Sequence, residues 1–301
     1  MRIIRAAALA TGLFTRLSAQ APALEHFTVT ADGHPLAVWA RRPATPRGAI
    51  LLVHGRTWSG LPDFDLQVPG ESRSVLANLA ARGYAAYAID LRGYGSTPRD
   101  RTGWLTPLRA AADVNAALAW IAAKQKLSTR PVLLGWSVGA MVAQLAAQQH
   151  PELISALVLY GYPFSPGDSL DADVDSTARP ARARTTKEGA ASDFVSPKVT
   201  STRMVAAYVK AATKADPVLT DWRFFDQFNA LDPARVTMPT LVLQGEHDPE
   251  PQWALQRLVA GLGTTQKSWV TLMGGDHAAL LEDTKPAFVD AIVAFFERRS
   301  R

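Results

Sequence analysis

The sequence predicts an α/β chain: a doubly wound, mostly parallel sheet with a helical cap insertion. Three observations carry that prediction. Short, largely apolar runs at 49–53, 84–89, 131–134, 154–160 and 240–244 are what strands buried on both faces of a parallel sheet require. Stretches with helical spacing separate most of them, so the connections are long enough to be crossovers. Between 163 and 236 the alternation stops: the chain is polar and Ala/Pro-rich to 196, then helical and aromatic from 202 to 228, which marks an insertion.

The 301 residues suit one large domain, or one domain carrying an insertion, with room for a sizeable core. Apolar residues make up 48% and charged residues 20%, the balance of a globular rather than a disordered chain. Lys and Arg outnumber Asp and Glu by 32 to 27, but three of those cations, Arg2, Arg5 and Arg16, lie in a leader-like start. Without a basic run interleaved with aromatics, no nucleic-acid partner is expected. The absence of cysteine excludes disulfides, thiolate catalysis and Cys-based zinc sites. It does not decide the compartment.

Taken in order, residues 1–21 combine a basic start, an apolar stretch at 6–14 and the small pair Ala19 and Ala21. This resembles a secretory signal and predicts a periplasmic or secreted protein. Arg16 and Leu17 depart from the small neutral residues expected before a cut, so an uncleaved extension on a cytoplasmic enzyme is the alternative. No later run reaches the ~18 apolar residues of a membrane span. Alternating residues at 25–30 and 35–39 flank Asp32-Gly33 and predict a β-hairpin. The run 49–53 leads into His54-Gly55-Arg56. Helical spacing at 75–81 stops at Gly83, and the strand 84–89 ends in Asp90. Thr106-Pro107 supplies a cap and a first-turn proline for a helix continued by Leu108, Ala111, Leu118 and Ile121.

After the strand 154–160 comes the insertion, so the core is expected at 22–162 and 237–301 and the cap at 163–236. The D-x-D-x-D spacing at 171–175 does not make a calcium loop, because Ser176 replaces the required glycine and Arg182 the bidentate acid. No metal is expected. Gly93-x-Gly95 likewise lacks the rest of a dinucleotide fingerprint. The sheet resumes at 240–244, leading to Gly245-Glu246-His247-Asp248, and at 268–272, leading to Gly274-Gly275-Asp276-His277. Pro286 opens a last helix with Phe288, Ile292, Phe295 and Phe296 on one face.

The chemistry centres on Gly135-x-Ser137-x-Gly139, set between an apolar strand and an Ala-rich helix. Glycines two residues to either side leave room for a serine at a sharp, strained turn. These residues resemble the nucleophile elbow of the α/β-hydrolase family, and the resemblance spans residues 25–299 apart from the cap. It implies a catalytic trio in the chain order serine, acid, histidine, each after a strand: Ser137, Asp248 and His277. A serine hydroxyl is a poor nucleophile at neutral pH, so it needs a base in reach and a carboxylate to hold that base's tautomer. The resemblance further implies an oxyanion hole from the N–H of Val138, at the positive end of its helix, and that of Arg56 in the His54-Gly55 loop.

Alternatives stand beside these. Some members of the family carry the acid one strand earlier, here Asp168. His247 faces away along an extended segment, Asp276 shapes the loop before His277, and His26, His34 and His150 suit solvated positions. The Arg56 side chain either pairs with a substrate carboxylate or does nothing. Trp58, Trp136, Tyr160 and Tyr162, with Trp222, Phe224, Phe225 and Phe228 of the cap, either line an apolar substrate pocket or belong to the core. The resemblance implies a cofactor-free serine esterase acting on small-molecule esters. An amidase, lactonase or carbon–carbon bond hydrolase would use the same trio, and a ligand-binding protein on the same scaffold is a further alternative. A serine at the elbow argues against dehalogenase and epoxide hydrolase chemistry, which in this family usually runs on an aspartate.

Overall fold

The computed structural model describes residues 21–125, 129–172, 175, 177–196 and 198–299. The leader-like stretch, apart from Ala21, and Asp173 and Ser176 of the rejected calcium pattern lie outside them. Among the described residues, no helix is long and apolar enough to cross a membrane.

The chain opens with β1 (Glu25–Ala31) and β2 (His34–Arg41), paired antiparallel around Asp32 and Gly33. It continues through β3 (Gly48–Val53), α1 (Gly60–Phe64), α2 (Val75–Ala81), β4 (Tyr84–Ile89), β5 (Trp104–Leu105) and α3 (Pro107–Gln125). Then follow β6 (Val132–Trp136), α4 (Val138–Gln149) and β7 (Ala156–Tyr160). The segment that leaves the sheet holds α5 (Lys187–Ala191), α6 (Thr202–Ala215), β8 (Asp221–Trp222) and two short 3-10 turns. The chain returns with β9 (Thr240–Gly245), α7 (Gln252–Gly261), β10 (Lys267–Leu272) and α8 (Lys285–Arg299).

Eight strands form one sheet in the order β1-β2-β4-β3-β6-β7-β9-β10, with β1 and β2 antiparallel at one edge and the six from β4 onward parallel. Every residue of β3, β4, β6, β7 and β9 is buried, which is why these strands read as largely apolar runs. α3, α4 and α7 cover one face and α2 and α8 the other. Each large apolar side chain sealed this way stabilises the fold by roughly 1.5–3 kcal/mol. β10 departs from expectation: it is the last strand, has one neighbour, and only Leu272 is buried.

The order has a functional consequence. From β3 the chain moves first to β4 on one side and then to β6 on the other, so the loops after β3 and β6 diverge and leave a crevice at the strands' carboxyl ends. The segment between β7 and β9 connects back to this end. Ser201 Oγ accepts from Met204 N at 3.1 Å, capping α6 at a gain of about 1 kcal/mol. Met204, Tyr208 and Ala212, spaced four apart on one face of α6, are buried. The two-residue pairing of β5 with β8 is a finding: so short a run carries no periodicity to read. α1 and α7 were equally illegible, α7 because only Ala254, Leu255 and Leu258 of its ten residues are buried.

Candidate active site

β6 ends at Trp136 and α4 begins at Val138, leaving Ser137 alone at the turn with φ 56° and ψ −130°. That conformation costs a non-glycine residue about 1–3 kcal/mol. Its surroundings hold it there: Ser137 N donates to Tyr160 O at 2.9 Å, and Ser137 O accepts from Ala140 N at 2.8 Å. The flanking glycines are demanded by backbone, not by freedom of rotation. A Cβ on Gly135 would lie 2.2 Å from Gly139 O, and one on Gly139 would lie 2.2 Å from His54 O. The loop after β3 therefore rests directly on the start of α4, and a Cβ on Gly55 would stand 3.5 Å from the Cβ of Ser137.

That loop is braced by two buried groups. His54 Nδ1 lies 2.7 Å from Gly55 O, and Leu91 N donates to His54 Nε2 at 3.1 Å. The second bond requires an unprotonated Nε2, so the proton sits on Nδ1. Burial drives the His54 pKa down to about 4, and the ring stays neutral. Tyr94 donates its hydroxyl to Arg56 O and accepts from Trp222 Nε1 at 2.7 Å, tying the Arg56 backbone to the inserted segment. Arg56 is an exposed residue, and its guanidinium stands 4.9 Å over the Phe225 ring. Val138 supplies the first N–H of α4, a group without an acceptor inside the helix.

Asp248 and His277 come from the loops after β9 and β10. His277 Nδ1 lies 3.1 Å from Asp248 Oδ2; the Asp248 side chain is fully buried, whereas that of His277 is 20% exposed. Gly161, after β7, lies beneath them with φ +55°, and a Cβ there would be 2.8 Å from His277 Cε1 and 3.3 Å from Asp248 Oδ2. The imidazole therefore sits over the end of β7, between the strand that carries Ser137 and the strand that carries Asp248. Trp136, the residue before Ser137, donates Nε1–H to His277 O at 2.8 Å. Burial pulls the His277 pKa down, but the hydrogen bond and charge of Asp248, with the charges of Asp193 and Asp276, outweigh it and the net shift is upward. With Nδ1 turned to Asp248, Nε2 is the nitrogen available as a base.

A sequence profile described as the Alpha/beta hydrolase family matches residues 50–291. The chain belongs to the alpha/beta hydrolase family. Curated relatives include human "Serine hydrolase BPHL", 35% identical over 118 residues, which are 38% of this chain and 35% of that protein. A "Pimeloyl-[acyl-carrier protein] methyl ester esterase" of Edwardsiella ictaluri is 35% identical over 86 residues, 29% of each chain. The chain thus spans about a third of the length of the curated relatives it matches. Among solved structures, a serine hydrolase involved in carbazole degradation superposes with a TM-score of 0.65 at 18% identity, covering 91% of this chain and 99% of that one. An epoxide hydrolase of Vigna radiata gives 0.67 at 18%, covering 91% and 98%. At these identities the likeness is one of fold.

Within this alpha/beta hydrolase the rival acids and bases Asp168, His247 and Asp276 make other contacts than the pair's own. Asp168 is exposed in the insertion, and it is Asp248 that meets the imidazole. His247 is exposed and bound through its backbone N to Gly275 O at 2.8 Å. Asp276 shapes the loop: it accepts from Ala278 N at 2.7 Å and from Val195 N and Ser196 N of the insertion at 2.9 and 2.8 Å.

The pocket-lining expectation needs correction. Tyr160 is completely buried, donating to Asp276 O at 2.7 Å and accepting from Ala279 N at 2.9 Å, with its ring packed on Phe288. Tyr162 is 1% exposed in the core on the opposite sheet face. Both are structural, because β7 is central and covered on both sides. Trp58 and Trp136 are 2% and 3% exposed and act through their indole N–H groups, on Asp193 and on His277. Trp222, Phe225 and Phe228 meet edge to face and join the core on the α3 and α4 side of the sheet, while Phe224 is exposed. A cavity of about 510 Å³, walled by Leu24, Trp39, Pro62, Asp90 and Lys214 among others, contains none of the candidate residues.

Sequence reasoning overlooked Asp193 and Gly161. Neither lies in a motif: Asp193 is one acid among many in a polar stretch, and Gly161 one glycine after a strand.

Proposed function

We propose that the protein is a serine hydrolase that cleaves carboxylic esters through an acyl-enzyme, with Ser137 as nucleophile, His277 as base and Asp248 as its orienting acid. The observation that carries this reading is the 3.1 Å contact between His277 Nδ1 and Asp248 Oδ2, made beside a serine held at a strained strand-to-helix turn. In the acylation step Ser137 Oγ attacks the ester carbonyl carbon while His277 Nε2 takes its proton. The carbonyl oxygen becomes an oxyanion facing the N–H groups of Val138 and Arg56. Collapse breaks the bond to the alcohol, which leaves with the proton from His277. Water then repeats the sequence on the acyl group, returning Ser137 to its hydroxyl form. Asp248 keeps Nδ1–H in place throughout, and these steps call for no cofactor.

The ester preference draws support from the methyl ester esterase among the relatives. The segment 163–236 is proposed as a cap over the crevice, supported by its ties to both flanking loops, through Tyr94–Trp222 on one side and Asp276 on the other. Release of p-nitrophenol from p-nitrophenyl butyrate tests the reading: turnover is expected in the native chain and a fall of about 10³-fold or more in Ser137→Ala. A p-nitroanilide counterpart separates ester from amide cleavage. Binding without sustained release would mark a ligand-binding protein and end the proposal.

A further inference from the structure

Asp193 follows α5 in the insertion and is held from both sides of the candidate site. On one side Trp58, from the same loop as Arg56, donates Nε1–H to Asp193 Oδ2 at 3.1 Å, and the Tyr208 hydroxyl of α6 lies 3.4 Å from that oxygen. On the other side the N–H groups of Val195 and Ser196 both bind Oδ2 of Asp276, the residue before His277. Asp193 is thereby strung between the Arg56 loop and the His277 loop. Asp193 and His277 pull on each other electrostatically: burial raises the Asp193 pKa to about 6, and the nearby imidazole opposes the rise.

The groups around Asp193 are acids and neutral donors, apart from the His277 imidazole. Tyr208 donates to Asp63 Oδ1 at 2.9 Å, and burial pushes the Asp63 carboxyl well above the usual range. Asp276 is occupied by backbone N–H groups. Among the described residues no Lys or Arg forms an ion pair with Asp193, and its Oδ1 has no hydrogen-bond partner there. With the Tyr208 proton given to Asp63, the Trp58 N–H is a small return for a half-buried carboxylate. A cation entering the crevice would supply the missing counter-charge, whereas a neutral group would not and an anion would be repelled.

We infer that Asp193 is a specificity-determining residue, held over the site by Trp58 and the Asp276 anchor, and that it selects substrates bearing an ammonium group near the scissile carbonyl. This rests on the ester-hydrolase reading above.

Two pairs of isosteric esters test it, each differing only in nitrogen against carbon. Butyrylcholine is compared with the ester whose trimethylammonio group is replaced by tert-butyl, and the p-nitrophenyl ester of γ-(trimethylammonio)butyrate with its tert-butyl counterpart. At pH 8 the cationic member of at least one pair is expected to exceed its isostere in kcat/KM by about ten-fold or more. Asp193→Asn, which keeps an acceptor for Trp58, is expected to bring that ratio to about one, and Asp193→Glu to retain part of it. A ratio unchanged by Asp193→Asn overturns the inference, as does the absence of any cation preference in both pairs for the native chain. The second outcome needs no variant to fold. If no ester is turned over, the functional reading fails separately, and choline titrated against tryptophan fluorescence tests Asp193 alone. Saturable binding weakened about ten-fold in Asp193→Asn supports it, while equal affinity or no binding overturns it.

Discussion

Nδ1 of His277 meets Oδ2 of Asp248 at 3.1 Å, across a boundary between a wholly buried carboxylate and a ring that is one-fifth exposed. The buried partner cannot share its charge with water, so it acts on the imidazole at nearly full strength.

That pairing sets the pH profile. His277 must be neutral to accept a proton, and its net shift is upward from the ordinary histidine value of about 6.5. Ester hydrolysis should therefore be full above the raised pKa and fall as pH drops through it, with an acid limb above pH ~6.5. Asp193→Asn removes one of the negative charges holding the shift, so its limb should move to lower pH in kcat/KM profiles of a neutral ester. An unmoved limb would separate Asp193 from the imidazole.

The elbow's glycines predict a steep contrast in stability. Gly139→Ala places a Cβ 2.2 Å from the backbone oxygen of His54, where neither side can yield. We expect a loss above about 4 kcal/mol, or no folded protein. Gly33→Ala in the first hairpin meets nothing within 4 Å, so its cost is only that of a left-handed residue, about 1 kcal/mol. Urea titrations of the two variants check this.

Arg56 offers a guanidinium at the rim of the site, positioned over Phe225 at 4.9 Å. If its side chain pairs with substrate anions, Arg56→Ala should lower kcat/KM for a carboxylate-bearing ester about ten-fold more than for a neutral one. Equal losses on both would leave only the backbone N–H with a role.

His54 links the loop after β3 to acid stability. Its folded pKa of about 4 lies below the unfolded value of about 6.5. The unfolded chain thus takes up the proton first as pH falls. The contribution is whole above pH ~6.5 and is lost between there and pH ~4, to the extent of about 3 kcal/mol. In thermal melts the advantage of the native chain over His54→Gln should narrow across that window. A constant gap would mean that folding leaves the His54 pKa unshifted.

Most of the sheet was legible because its strands are central. β4 and β9 read as apolar runs since both faces are covered, and the helical spacing at 75–81 that stops at Gly83 matches α2. The elbow was legible for a similar local reason at Gly135, which answers to the backbone of Gly139, whereas Gly139 answers to His54, distant in the chain. What escaped were β5 with β8, and Asp193, whose partners Trp58 and Tyr208 lie 135 and 15 residues away.

By itself the sequence determined where the strands lie, which serine stands at the turn, and which acid and histidine follow later strands, because those depend on neighbours along the chain. Only the tertiary structure decided that Asp248 rather than Asp168 meets the imidazole, that Tyr160 and Tyr162 are core, and that Asp193 reaches the loop of Trp58. The reason is spatial: the order of the strands brings distant loops to one crevice, and burial there decides which polar groups find partners and which charge is left without one.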